Sequence, residues 1–168
     1  NSLAFVEKPL ERLQSLGNRQ EVLICSHCFK FVSDMKTSIQ LLTGEKNRQD
    51  AVTNSNCKVD NSCNTSKHIY CIPITCRHQC GEIYCSINCA DSHWNESHHK
   101  LCTGCITDEE AKTHPLIAFK LHACQTNEIF LMAADIFAKI VVQVEEASSN
   151  GISLDKVLNK ACSPYSNY

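Results

Sequence analysis

The chain has 168 residues and a mass of 18.8 kDa, which allows one domain of ordinary size or one small domain with appendages and excludes a large multidomain enzyme. Its formal net charge of -2 at pH 7 disfavours direct nucleic-acid binding, which needs a surface that neutralises many phosphates. No apolar run approaches the roughly 20 residues of a bilayer-spanning helix, so no membrane span is expected. Thirteen cysteines and eight histidines make metal or disulfide chemistry the first question.

The residues before the first cysteine pair predict little regular structure. A short apolar run over residues 3–10, ended by Pro9, predicts a strand. Residues 10–20 are polar and contain Gly17, which favours a loop. Because the chain begins at Asn1 rather than at a methionine, we expect it to be a fragment of a longer protein.

A polar stretch over residues 43–67 separates two cysteine-containing segments. It has no aromatic residue and few large apolar ones, so it buries too little surface to offset the entropy of ordering it. We therefore expect a disordered insertion, in which Cys57 and Cys63 are thiols that hold no metal.

Helical signals dominate after residue 106. Thr107 followed by Glu110 fits a capping box, and Pro115 is suited to begin a second helical segment that runs to about Ala123. Residues 126–147 form the strongest helical pattern, which Gly151 is placed to close. The apolar face expected on this helix is formed by Ile129, Ala133, Ile136, Ile140 and Val144, with Phe130 and Phe137 alongside.

Cysteine and histidine spacing carries the strongest chemical signal. Zinc binds four soft or borderline ligands in a tetrahedron, and two thiolates separated by two to four residues can reach one ion. Eight such ligands make two complete sites. A disulfide framework is the alternative, but thirteen cysteines would leave one thiol over and the framework would not require a histidine at this spacing. The eight expected ligands are Cys25, Cys28, Cys76, Cys80, Cys85, Cys89, His98 and Cys102.

Two of the ligand pairs have helical spacing. Cys85 and Cys89, like His98 and Cys102, are four residues apart, which places both side chains of a pair on one face of a helix. Because four protein ligands leave no open position for water, the metal is expected to be structural rather than catalytic.

The segment "YCSINCADSHWNESHHKLC" at residues 84–102 resembles the end of a MYND zinc finger, in which YCS-x2-C is followed by a tryptophan and by His-x3-Cys. The resemblance implies two structural Zn²⁺ ions in a cross-braced arrangement. In that arrangement Cys25, Cys28, Cys85 and Cys89 hold one ion, and Cys76, Cys80, His98 and Cys102 hold the other.

Three features depart from the MYND pattern. The middle pair is Cys76-x3-Cys80 instead of Cys-x2-Cys, which leaves His78 as a substitute ligand. The step from Trp94 to His98 is one residue longer than in many members, which leaves His99 as a competitor. Cys28 and Cys76 are separated by 47 residues, far more than usual, in agreement with an insertion.

The remaining cysteine and histidine residues are assigned to other roles. His93 is expected on an exposed helix face. Cys124 lies in an apolar helical segment and is expected to be a small core residue. Cys105 follows a ligand set that is already complete.

The flanking segments resemble SET-domain sequence. "FVEKPL" at residues 5–10 is similar to the strand that precedes the finger in SET and MYND lysine methyltransferases. "HPLIAFKLHACQTNEIFLMAADIFAKIV" at residues 114–141 is similar to the helices that follow it, particularly in plant trithorax-related members.

A small α+β fold in four parts follows from these resemblances. Residues 1–12 end the N-terminal SET portion, 22–102 form the cross-braced finger with short strands and a helix, 107–149 form the helical segment of a split SET domain, and 150–168 form a flexible tail.

The resemblance implies that the parent protein transfers the methyl group of S-adenosylmethionine to a lysine amine. The chain has no Asn-His pair of the kind that binds this donor, and Tyr165 and Tyr168 lie in a polar tail without the context of the catalytic tyrosine. We therefore expect no catalytic and no cofactor-binding residue in this chain. Its expected role is a zinc-held scaffold in a nuclear or cytoplasmic chromatin-modifying protein, facing a protein or peptide partner such as a histone.

Two other functions are compatible with the residues. A stand-alone MYND adaptor would bind Pro-rich peptides through apolar groups drawn from Ile83, Tyr84, Ile87 and Trp94, although Tyr84 and Trp94 are equally suited to the core of the finger. A secreted disulfide protein would resist chelators and be sensitive to reductants.

Overall fold

Helices and one two-stranded sheet make up the computed structural model, which describes residues 11–53 and 73–165. The expected small α+β class is confirmed in these ranges. The strands are β1 (Ile74–Thr75) and β2 (Ile83–Tyr84). The helices are α1 (Leu16–Glu21), α2 (Met35–Leu42), α3 (Arg48–Thr53), α4 (Ile87–His93), α5 (His99–Leu101), α6 (Asp108–Thr113), α7 (Pro115–Thr126), α8 (Ile129–Ser149) and α9 (Leu154–Cys162), with a π-helical turn at Trp94–His98 and a 3-10 turn at Ser163–Tyr165.

The core of the cysteine-rich region (residues 22–102) sits beside the small sheet. β1 and β2 are antiparallel, with Ile74 opposite Tyr84. The first hairpin contains Cys25 and Cys28 and is closed by a bridge between Ile24 and Phe31, and the second contains Cys76 and Cys80 and is formed by β1, β2 and the residues between them. The first hairpin is attached to the second because the Ser26 N–H donates to the Ile83 carbonyl at 2.8 Å. The shared core consists of Leu23, Cys25, Val32, Leu41, Ala51, Cys76, Ile83 and Tyr84.

Two segments expected to be irregular are helical. Residues 16–21 form α1 instead of a loop, and the Ser15 hydroxyl at its N-cap accepts from the Asn18 N–H. Within the predicted disordered insertion 43–67, residues 48–53 form α3, and Ala51 is buried in the core. The disorder prediction is therefore wrong for α3. Its other part, with Cys57 and Cys63, and the strand predicted over 3–10 lie outside the described residues.

A change of helix type occurs between the last ligand pairs. Ser86 caps α4 by accepting from the Cys89 N–H at 3.2 Å. The α4 helix continues into the π-helical turn Trp94–His98, which is followed by α5. A π turn holds one more residue than an α turn. The helix therefore accommodates an extra residue between Trp94 and His98 without a break.

The predicted helix signals after residue 106 are confirmed. Thr107 and Glu110 form a reciprocal capping box at the start of α6. Pro115 begins α7, where its missing N–H costs no hydrogen bond. The left-handed Gly151, with φ of +72°, follows the end of α8, as expected for a glycine after a helix C-terminus. Within the described ranges, no helix has both the length and the apolar composition needed to cross a bilayer.

The face of α8 that packs inward differs from the predicted one. Ala138 and Val142 are the buried positions of α8, and the helix as a whole packs on α9, the π turn, α5 and α7. Ile129 and Phe137 of the predicted apolar face are 51% and 67% exposed. The sequence periodicity predicted the helix but not which of its apolar faces is buried, because that depends on contacts of α8 with several other elements.

The C-terminal segment is ordered where a flexible tail was predicted. Residues 154–165 form α9 and the following 3-10 turn, and α9 packs on α8. Val157 and Ala161 are buried at this contact. Val157 and Ala161 are four residues apart, which is helical spacing. The signal is weak because most of the surrounding residues are polar.

We expect Val142→Ala to destabilise the zinc-loaded chain by about 2 kcal/mol, because it removes buried methyl groups and leaves a cavity. The matched control is Val141→Ala, since Val141 is 44% exposed and should change stability by less than about 0.5 kcal/mol. Urea unfolding followed by circular dichroism measures both. Equal effects of the two substitutions would contradict the orientation of α8.

Candidate metal centres

The eight predicted ligands converge in two groups of four. In each group the ligand atoms all lie within 4.8 Å of one another. The first and third ligand pairs of the sequence form one group, and the second and fourth form the other, which is the interleaved order that the resemblance implied. Centre 1 contains Cys25, Cys28, Cys85 and Cys89, and centre 2 contains Cys76, Cys80, His98 and Cys102.

Centre 1 joins the first cysteine hairpin to the junction between β2 and α4. The Cys85 sulfur lies 3.6 Å from that of Cys28 and 3.5 Å from that of Cys89. Cys25 is fully buried at the base of the group.

Centre 2 joins the second hairpin to the end of the π turn and to α5. The His98 Nε2 atom lies 3.4 Å from the Cys76 sulfur and 3.3 Å from the Cys80 sulfur. The Cys102 sulfur is 3.9 Å from that of Cys76. His78 and His99 are outside the group: the His78 ring stacks on Trp94, and His99 Nδ1 contacts the Trp94 carbonyl.

These distances fit a bound tetrahedral cation and exclude disulfide bonds at these contacts. With zinc–sulfur bonds of about 2.3 Å and zinc–nitrogen bonds of about 2.0 Å, neighbouring sulfurs lie about 3.8 Å apart and sulfur and nitrogen about 3.5 Å apart. A disulfide bond would require about 2.05 Å. Each group could therefore hold one zinc ion, and its three or four sulfur ligands suit zinc better than harder cations.

Each hairpin contains one residue with left-handed backbone conformation, which turns the chain so that the two cysteines of the hairpin point toward the same metal group. Phe29, directly after Cys28, has φ of +63°, and Gln79, directly before Cys80, has φ of +55°. These conformations are unfavourable for residues other than glycine and persist only when surrounding contacts enforce them. Around Phe29, its own N–H donates to the Cys25 carbonyl at 2.9 Å, and the Arg12 guanidinium lies over its ring.

The prediction that Cys85 and Cys89 lie on one face of a single helix is wrong. Cys85 precedes the helix, because Ser86 is the N-cap and α4 begins at Ile87. The two sulfurs meet because the chain turns at Ser86, which brings the end of β2 beside the first turn of α4. Similarly, Cys102 lies just past α5 in an extended conformation.

At four of the seven cysteine ligands, burial disfavours the thiolate unless a cation is present. Burial raises the pKa of the Cys80 and Cys85 thiols well above the ordinary value. The pKa of Cys89 and Cys102 is raised by burial in the same way. A divalent cation reverses this preference because it stabilises deprotonated sulfur. The clusters are therefore suited to bind an ion rather than to act as exposed nucleophiles.

A layer of rings supports centre 2. Burial lowers the pKa of His98 to about 4, so its imidazole is neutral at pH 7, which is the form that binds metal. The His93 ring stacks on His98 with centroids 4.9 Å apart, and His93 Nδ1 contacts the Tyr84 hydroxyl at 3.1 Å. The prediction that His93 faces solvent is wrong, because this half-buried side chain forms part of the layer.

An ion pair that the sequence analysis missed lies next to centre 2. The Glu82 carboxylate accepts from Arg19 at 2.6 Å and from the Ser26 hydroxyl at 2.6 Å. Burial acts to raise the pKa of Glu82, but the charge of Arg19 and the hydrogen bonds lower it to about 2. The partners are 63 residues apart, so sequence spacing gave no signal for the pair. It ties α1 and the first hairpin to the second.

The other described cysteines take no part in either group. Cys105, Cys124 and Cys162 are exposed free thiols. The prediction that Cys124 is a core residue is wrong, because the neighbouring Ala123 is the buried position of α7.

Comparison with known proteins gives one partial relationship. The chain is 36% identical over 81 residues to Histone-lysine N-methyltransferase ATXR2 of Arabidopsis thaliana. The match covers 48% of this chain and 17% of that protein. No family model matches the chain, and no solved structure matches it significantly. The similarity is thus limited to part of each protein, and the two groups of ligands in this chain fit zinc binding.

We expect two zinc ions per chain in native mass spectrometry. Cys89→Ala should remove one ion and unfold the cysteine-rich region, because each structural zinc contributes roughly 10 to 16 kcal/mol of apparent binding free energy. Cys105→Ala is the matched control and should retain both ions, since Cys105 is exposed outside the groups. One ion or none in the unmodified chain would contradict the ligand assignment.

We expect Arg19→Gln to destabilise the chain by about 2 kcal/mol at pH 7, because it leaves the charged Glu82 carboxylate partly buried without its cation. Lys112→Gln serves as the control. Its pair with Glu109 is largely exposed and contributes little to stability. Thermal unfolding of zinc-loaded protein compares them, and an Arg19 variant as stable as the control would refute a structural role for the pair.

Proposed function

We propose that this chain is the MYND-type zinc-binding region of a SET-domain protein-lysine methyltransferase, with the helical segment of a split SET domain attached. The observation that carries this proposal is the interleaving of two four-ligand groups along the chain. Interleaving requires both hairpins and the α4–α5 helical segment to fold as one unit, which is the property of a cross-braced finger.

The scaffold role is supported by the closed ligand sets. Each group supplies four protein ligands, so zinc there would contribute folding free energy and no open coordination position for a substrate. Seven thiolates and two Zn²⁺ ions would lower the formal charge to about -5, which further disfavours nucleic acid as a direct partner.

The methyltransferase assignment is supported by the similarity to the Arabidopsis protein, whose name specifies a histone lysine as the methyl acceptor. We extend that acceptor class to the protein of which this chain forms a part. The groups that bind S-adenosylmethionine and perform methyl transfer are then supplied outside these 168 residues. A histone is the proposed partner, and the nucleus, where chromatin lies, is the proposed location, with the cytoplasm as the alternative.

A stand-alone adaptor that binds Pro-rich peptides is the second candidate. It is favoured by Ile87, which is 61% exposed at the start of α4, and by the half-buried Trp94 at the other end of that helix. Ile83 and Tyr84 are unavailable for such a surface because they are buried in the core.

The test is methyl transfer from tritiated S-adenosylmethionine to histones by the longer protein that contains this chain. We expect labelling of lysine, a large loss with Cys89→Ala, and retention with Cys105→Ala, because only Cys89 belongs to a metal group. A zinc-loaded longer protein that labels no lysine would contradict the methyltransferase assignment.

The adaptor function is tested on the chain itself by fluorescence polarisation with a labelled Pro-rich peptide. Loss of binding with Ile87→Ala, and no loss with Ile39→Ala, would favour the adaptor, because Ile39 is similarly exposed on α2. Absence of binding by the zinc-loaded chain would eliminate it.

A further inference from the structure

We propose that zinc binding at centre 2 and docking of α8 on the cysteine-rich region are thermodynamically coupled through the contact between Ser97 and Asp135. The proposal rests on the zinc-binding function proposed above and adds to it a mechanism by which one ion positions the helical region. Ser97 and Asp135 act as positioning residues, since neither belongs to a metal group.

Ser97 connects the metal group to α8 directly. It precedes the ligand His98 in the π turn, and both residues are buried, Ser97 completely. The Ser97 hydroxyl donates to the Asp135 carboxylate at 2.6 Å. A metal ion bound to His98 would restrict the backbone of the π turn. Because Ser97 is the preceding residue, the position of its hydroxyl then depends on whether His98 binds the ion.

Asp135 is in turn the first member of a charged cluster. Lys139, one turn further along α8, lies 3.0 Å from Asp135 and 2.6 Å from Glu11. The Tyr165 hydroxyl donates to Glu11 at 3.3 Å. Only 8% of the Glu11 side chain and 21% of the Lys139 side chain are exposed. The cluster thus joins the segment before α1, the centre of α8 and the 3-10 turn that follows α9.

An ion pair between the cysteine-rich region and α8 offers an internal comparison. Lys100 in α5 lies 2.8 Å from Glu145 in α8, but 33% and 55% of these side chains are exposed. Exposed pairs are weakened by solvent and salt, whereas the hydrogen bond from the buried Ser97 reaches a carboxylate that is only 24% exposed, and hydrogen bonds to a carboxylate are strong. The coupling is therefore assigned to Ser97 and Asp135 and not to the Lys100–Glu145 pair.

Linkage makes the proposal reciprocal. If zinc at centre 2 favours the docked position of α8 by a given factor, docking of α8 strengthens zinc binding at centre 2 by the same factor. Loss of the Ser97–Asp135 contact removes the share of this coupling that the contact carries. Removal of groups that support metal ligands commonly lowers metal affinity by about tenfold to a hundredfold. We expect a decrease on the order of tenfold at centre 2 and none at centre 1.

The experiment is competition between the full chain and a chelator, with Co²⁺ as the probe metal. Co²⁺ absorbs visible light differently at four-sulfur and three-sulfur sites, so the two centres are followed separately. The variants are Ser97→Ala, the milder Asp135→Asn and the control Glu145→Gln. Hydrogen exchange of the amides in residues 129–149, with and without metal, measures the docking of α8.

The proposal is supported if Ser97→Ala lowers the Co²⁺ affinity of the three-sulfur site alone and raises the rate of hydrogen exchange in α8. Asp135→Asn should have a smaller effect on both quantities, and Glu145→Gln almost none. Unchanged affinity and exchange in Ser97→Ala, or equal weakening of both sites, would overturn the coupling while leaving two-metal binding intact. Failure of the unmodified chain to bind two metal ions would overturn both proposals.

Discussion

The fold of the cysteine-rich region depends on coordination of sulfur and imidazole groups, because its buried core contains few large apolar side chains. Among the described residues, its core cluster has four large aliphatic side chains and one tyrosine, together with Ala51 and two of the seven metal-group cysteines. Four further cysteines of the two groups, Cys80, Cys85, Cys89 and Cys102, pack against that cluster. Two ions would therefore occupy the places where larger domains have apolar side chains, and would fix hairpins that could not be stable alone.

Polar and charged side chains connect other parts of the chain to the metal centres. Glu82, two residues after Cys80, receives Arg19 from α1, and Ser97, next to His98, contacts Asp135 from α8. Both contacts are adjacent to ligands of centre 2. Parts of the chain that are distant in sequence are thus attached to the same metal group, α1 on one side and α8 on the other.

The sequence predicted the ligand types and the helices best because those signals are local. Thr107 with Glu110 and the position of Pro115 depend on neighbours within one turn, and the structure confirms them. The inward face of α8, the burial of His93 and the Arg19–Glu82 pair depend on contacts across many residues, which spacing cannot reveal. Residues 16–21 and 48–53 were missed for a related reason. Their helices are short, polar and stabilised by side-chain caps and by packing at single positions such as Ala51.

The π turn at Trp94–His98 also bears on how such regions diversify. An added residue in an α-helix ordinarily rotates everything after it by about 100°, which would turn His98 and Cys102 away from their ion. A widened turn absorbs the added residue locally, so the downstream donors keep their direction. A chain with one more residue between two ligands can therefore keep the same four ligand atoms around the ion. A sequence pattern that requires a fixed number of residues between the ligands would not recognise such a chain.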